Sequence, residues 1–129
     1  MEQLEKLDWV ASRRHANHLR YQKLLGSQFY VQRWEDLEAT VSSISFCLLA
    51  QTADERRAVI MNLAEYGIET RIFSAGNLGR HPFWTGRFGA TNFTFADRLY
   101  QTGFFLPNHP YLEEDDIEFI SRAACGQKS

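Results

Sequence analysis

Three features of this sequence predict an α/β chain of the α+β sandwich type: one long N-terminal helix plus a small mixed sheet with flanking helices. Apolar residues recur at three- and four-residue steps from the first residues to about Leu25. Two-residue alternation appears around Ile44–Leu48 and again around Ile68–Ile72. Segments of helical period lie between and after these strands, joined by short connections that favour one shared sheet.

The bounds on function come from composition. The 129 residues amount to one domain, able to bury roughly two thirds of its unfolded surface. A hydrophobic content of 44% with 14% aromatics supplies a core and excludes a disordered chain. The net charge of −2 provides no electrostatic footprint for nucleic acid or an anionic membrane. The two cysteines, Cys47 and Cys125, have no CxxC spacing, and Cys47 in its apolar run reads as a buried thiol of a reducing cytosol. No apolar run approaches a membrane span, and the charged N-terminus is not signal-like, so the expected location is cytoplasmic.

The first element is a helix from Met1 to about Leu25. Leu4, Leu7, Ala11, His18, Tyr21 and Leu25 form its stripe, and Gly26-Ser27 ends it. It has no N-cap signal before Glu2, as expected of a chain that begins inside an element; a helix starting at the terminus gives the same pattern. Phe29 to Ala39 reads as irregular. A strand follows from about Val41 to Ala50, with Ile44, Phe46 and Leu48 on one face. Thr52 and Glu55 form a capping box for the next helix, whose stripe is Arg56, Val59, Ile60 and Leu63, with the arginine at its edge, and whose end is Gly67.

Ile68 to Phe73 alternate as a strand, and the loop after it carries Asn77, Arg80 and His81 between two glycines and Pro82. Phe83 to Ala90 reads as a glycine-punctuated surface loop folded on its own aromatics, in preference to a flap over a ligand. Thr94 and Asp97 stand in capping-box positions for a helix to Thr102, closed by Gly103. Phe104-Phe105-Leu106 is a short buried strand, and Pro107-Asn108-His109-Pro110 a turn. The last helix opens on the acids 113–116, buries Ile117, Ile120 and Ala124, and leaves a frayed tail after Gly126.

Chemistry read from the residues alone is sparse. His15 and His18 could share a helix face, but no third metal ligand stands nearby. The acids 113–116 suit a solvated first helical turn better than a catalytic pair. No nucleophile elbow, phosphate loop or HExxH motif is present. The one promising constellation is Arg71, Asn77, Arg80, His81 and His109: guanidiniums for anions, an amide that donates and accepts, and imidazoles that titrate near neutrality. Scattered surface polars on adjoining turns remain the alternative.

The runs GIETRIFSAGNLGRHPFW and FADRLYQTGFFLPNHPYLEEDDIEFI closely resemble the C-terminal part of the DegT-like family. That family comprises pyridoxal-phosphate sugar-nucleotide aminotransferases and related 3-dehydratases of nucleotide-linked 4-keto-6-deoxyhexoses. The opening helix resembles the long helix that follows the family's cofactor-bearing region. The element from Ala75 to Pro82 looks most like the dehydratase branch. The resemblance implies the small C-terminal domain of fold-type-I enzymes, with residues 1–26 linking to a missing large domain and 27–129 forming the small one. It implies that Arg71, Asn77, Arg80 and His109 face the substrate, a nucleotide-linked keto-deoxysugar, at a cleft between domains and subunits of a homodimer.

The family's pyridoxal phosphate and its imine lysine (a histidine in the dehydratases) would lie upstream of this helix. Lys6, Lys23 and Lys128 lie on the opening helix or in the tail, and two cysteines cannot bind the iron–sulfur cluster of some relatives. No covalent cofactor and no turnover are therefore expected of this chain alone. Its partner is expected to be the missing large domain or a second subunit, the alternative being a non-catalytic sugar-nucleotide-binding or dimerisation module. The opening helix discriminates between them: an exposed apolar stripe implies the absent lobe, a helix folded onto the sheet an independent module.

Overall fold

The computed structural model describes residues 2–31, 39–73 and 76–127. Helices α1 (Glu2–Glu5) and α2 (Leu7–Leu25) lead into strand β1 (Tyr30–Val31), then β2 (Ser45–Leu49), α3 (Ala53–Glu65) and β3 (Arg71–Ile72). A 3-10 turn, Leu78–Arg80, precedes α4 (Pro82–Phe88), α5 (Thr94–Thr102), β4 (Gly103–Pro107) and α6 (Glu114–Ala124). The strands form one sheet in the order β1-β2-β4-β3. Every neighbouring pair is antiparallel. The sheet is therefore antiparallel throughout and not mixed as expected: β2 and β3 run the same way only because each pairs with β4 between them. Helix α3 makes the crossover that this arrangement needs.

Register divides the sheet into two faces. Phe46 opposes Leu106 and Leu48 opposes Phe104, and all four are buried. Tyr21 and Leu25 of α2, Val59 and Leu63 of α3, and Ile117, Ile120 and Ala124 of α6 complete this core. On the other face Cys47 opposes Phe105 and Phe105 opposes Arg71, a row that the core helices leave partly open.

Helix α2 is fixed from Arg13 onward. The Tyr21 ring stacks on Phe46 at 4.9 Å, and its hydroxyl donates to the Pro107 carbonyl at 3.0 Å. Arg13 donates to the carbonyls of Pro110 and Leu112, and Asn17 to that of His109. Asn108 closes the clamp from the other side by donating to the carbonyls of Arg14 and Ser43. The first half differs from the single expected helix. It breaks at Lys6, and the stripe residues Leu4 and Leu7 are 73% and 56% exposed.

Several local expectations hold in detail. Gly67 takes φ +70, with the Ile68 N–H bonded to Leu63 O and the Gly67 N–H to Ala64 O, so two last-turn carbonyls of α3 are satisfied. Thr52 Oγ1 accepts the Glu55 N–H, although the Glu55 carboxylate takes the N–H of Gln51 rather than that of Thr52. Arg56 lies beside the stripe as expected and donates to the carbonyls of Tyr100 and Gly103, where the C-terminal end of α5 favours a cation. Glu113 and Asp116 cap α6 reciprocally.

Other expectations are corrected. Tyr30 and Val31, read as irregular, pair with Leu49 and Leu48 as an edge strand; residues 32–38 of that segment lie outside those described. Ile44 is 73% exposed, outside the core that Phe46 and Leu48 occupy. Pro82 to Phe88 is a helix, not a loop, because Pro82 sits at its first position with φ already suitable and no N–H to lose. Its aromatics do pack on one another, Trp84 on Phe88 at 4.6 Å and on Phe93 at 5.8 Å. Helix α5 is preceded by Phe93, with no side-chain cap, and Asp97 is engaged elsewhere.

Candidate functional site

The sequence-predicted residues fall into two cavities. Arg71, at the start of β3, and His109, in the turn after β4, line a cavity of about 320 Å³ on the open face of the sheet, floored by Phe105 and Pro107. Asn77 and Arg80 line a second cavity of about 530 Å³, beside Phe73 and Tyr100. Adjacent strand residues thus serve different spaces: Arg71 the first, Ile72 the second.

In the first cavity Arg71 is well exposed and pairs with Glu69 at 2.7 Å. Such an exposed pair contributes little and is readily exchanged for another anion. The backbone of His109 is held by Asn17, while its Nδ1 accepts the Tyr111 N–H at 3.3 Å. Its ring stacks on Tyr111 at 5.3 Å. The position of the imidazole is therefore set before any ligand arrives. Asn108, fully buried, lends both amide hydrogens to backbone carbonyls and so fixes the turn that carries His109.

In the second cavity Asn77 faces inward, 4% exposed. Its Oδ1 accepts the Gly79 N–H at 2.9 Å, and its Nδ2 donates to Asp97 at 2.7 Å. The same Asp97 oxygen receives Arg80 Nε at 2.6 Å. The Arg80 hydrogen bond, then the Asn77 bond, hold the Asp97 carboxyl below the usual carboxylate range, and the Asp97 bond raises the Arg80 guanidinium in turn. The loop lies close on α5 because its glycines lack Cβ atoms. One added at Gly79 would stand 2.4 Å from the Phe93 ring, and one at Gly76 2.7 Å from Tyr100. His81 caps the start of α4 through its carbonyl.

Asp97 is the residue that sequence reading misplaced. Its signal, a Thr-x-x-Asp spacing, pointed to a helix cap, while its partners Asn77 and Arg80 lie far upstream. Neither Lys6 nor Lys23 lines either cavity, and both are exposed. Among the described residues, neither of these two spaces therefore holds an amine for an imine. Among the described residues no group of three or more His, Cys, Asp or Glu could hold a metal ion, and no helix is long and apolar enough to cross a membrane.

Comparison with known proteins places the fold. No curated protein sequence matches the chain significantly. Among solved structures, a DegT DnrJ EryC1 StrS aminotransferase from Brucella abortus superposes with a TM-score of 0.83 at 20% identity, over 97% of this chain and 33% of that one. GDP-4-keto-6-deoxy-D-mannose-3-dehydratase of E. coli, with bound hydrated PLP, gives 0.78 at 24% identity over 95% of this chain and 33% of that one. Helicobacter pylori PseC, an aminotransferase involved in the biosynthesis of pseudoaminic acid, gives 0.78 at 16% identity over 97% and 34%. The chain spans about a third of the length of these structures and reproduces a domain of the fold-type-I pyridoxal-phosphate enzymes. The profile of the DegT/DnrJ/EryC1/StrS aminotransferase family matches residues 1–124, and the chain belongs to that family.

Proposed function

We propose that this chain acts as the small C-terminal lobe of a pyridoxal-phosphate sugar-nucleotide aminotransferase or 3-dehydratase. It contributes substrate-side contacts and is not catalytic alone. The observation that carries this reading is the family match over residues 1–124, joined to a fold that spans a third of the family's solved chains. The cofactor, with the chemistry it supplies, belongs to the large lobe or a second subunit. Residues 1–26 link to that lobe, and the complete enzyme is a cytoplasmic homodimer of deoxysugar or surface-polysaccharide biosynthesis.

Within this reading Arg71 and His109 contact a nucleotide-linked keto-deoxysugar from the open face of the sheet. A guanidinium fork suits phosphate oxygens, and an imidazole suits hydroxyls. Asn77 and Arg80 face the same extended ligand from the second cavity, where Asn77 also holds the loop through Gly79 and Asp97. Exposure of Leu4, Leu7 and Trp9 on the first helices supports a covering lobe. Incubating the purified chain with pyridoxal phosphate, glutamate as amino donor and a nucleotide-linked 4-keto-6-deoxyhexose tests the proposal. No product is expected, and turnover by this chain alone would overturn it.

A second reading has one specific observation in its favour. The latter half of α2 folds back onto the sheet through Tyr21 and Leu25, so the core is closed without a partner. On that reading the chain is a non-catalytic sugar-nucleotide-binding or dimerisation module.

A further inference from the structure

Arg14 lines the same cavity as Arg71 and His109, yet nothing read from the sequence pointed to it. It stands on α2 beside Arg13, whose guanidinium is held by two carbonyls. Arg20, Arg56, Arg71 and Arg80 likewise each donate to a carboxylate or carbonyl. The Arg14 side chain makes no hydrogen bond or ion pair with the described residues, and its Nε is buried without an acceptor. It is also half-buried.

A guanidinium stays protonated at any accessible pH, so it cannot relieve its desolvation by losing charge. Partial burial without a counter-charge is unfavourable, and an anion is what relieves it. The cavity's one carboxylate, Glu69, already pairs with Arg71. The lining therefore holds one guanidinium more than its carboxylates balance. Phe105, Pro107 and Ile44 add apolar surface to the same lining.

We infer that Arg14 is a ligand-binding residue, and that with Arg71 it holds the phosphate or diphosphate of a ligand whose ring system lies on Phe105 and Pro107. This rests on the reading of the open sheet face as the substrate side. Arg14 adds a cation fixed on a helix to one carried by a strand. The weak Arg71–Glu69 pair can open in favour of a multiply charged anion, whereas Arg14 needs no pair broken.

The test is a titration of the full 129-residue chain with inorganic pyrophosphate, read from the Nε–H signals of Arg14 and Arg71 in nitrogen–proton spectra. Both signals are expected to move, and Arg14→Gln to weaken binding roughly tenfold, as for loss of a charge-assisted contact. An unchanged affinity in Arg14→Gln, with a loss in Arg71→Gln, overturns the role of Arg14 and leaves the cavity reading intact. Pyrophosphate that moves neither arginine nor His109 overturns both. Should Arg14→Gln lose its folded spectrum, Arg14→Lys is read instead, since it keeps charge and stem but not the fork. A severalfold loss then supports the inference, and an unchanged affinity overturns it.

Discussion

The Nε of Arg80 lies 2.6 Å from Oδ1 of Asp97, joining a loop cation to a helix carboxylate seventeen positions further along the chain. Asn77 donates to that same oxygen. Three polar side chains, none of them in a regular strand, thus hold the 76–82 loop against α5. The arrangement makes Asp97 the organiser of one cavity, while the clamp between α2 and the 107–110 turn organises the other.

The first prediction concerns pH. Asp97 has its folded-state pKa lowered by Arg80 and Asn77, so the stability it contributes is present above the unfolded carboxylate value of roughly 3.9 and is lost as pH falls through the folded value. Asp97→Asn is expected to melt at a lower temperature than the parent at pH 7. The two melting curves converge in acid, where the parent's carboxyl is also neutral. A difference that persists unchanged to pH 2 would contradict the assignment.

Gly79→Ala is expected to cost about 1–3 kcal/mol by overpacking, because the added methyl meets the Phe93 ring. Chemical denaturation measures the loss. Phe93→Leu should relieve most of it, and equal losses in both backgrounds would show that the close approach is not the cause.

Tyr21→Phe removes the hydroxyl that reaches Pro107 while keeping the ring on Phe46. A loss of about 0.5–1.5 kcal/mol is expected, and about 3–5 kcal/mol for Tyr21→Ala, which also empties the core. Similar losses in the two variants would place the stabilisation in the hydrogen bond and contradict the packing account.

Burial pushes the Cys47 thiol up to about 11. At pH 8 its thiolate fraction is roughly two orders of magnitude below that of a free cysteine, so alkylation is slow and accelerates toward pH 11. Rapid labelling of Cys47 at neutral pH, resolved by peptide mass, would contradict its placement between Phe46 and Leu48 on the half-covered side of β2.

Elements whose cause is local were legible in the sequence. Gly67 supplies the left-handed residue that ends α3, Thr52 its cap, and the alternation of Phe46 and Leu48 fixes which side of β2 is covered. What escaped has a non-local cause. Tyr30 and Val31 become a strand only because Leu48 and Leu49 present an unpaired edge. Asp97 abandons a capping role because Arg80 and Asn77 offer it stronger, charge-assisted bonds. Pro82 carried a helix-start signal that neighbouring glycines obscured. Among the site residues, the placement of Arg71 on a strand was readable, but its separation from Arg80 and the half-burial of Arg14 belong to the folded sheet alone.

The central claim is that this chain shapes the substrate side and leaves the reactive carbonyl chemistry to another lobe. Its most direct test is borohydride reduction of the purified chain with pyridoxal phosphate at one equivalent, followed by intact-mass measurement. The account predicts the unmodified mass, with at most trace nonspecific adducts on surface lysines. A stoichiometric phosphopyridoxyl adduct on a single lysine would contradict it.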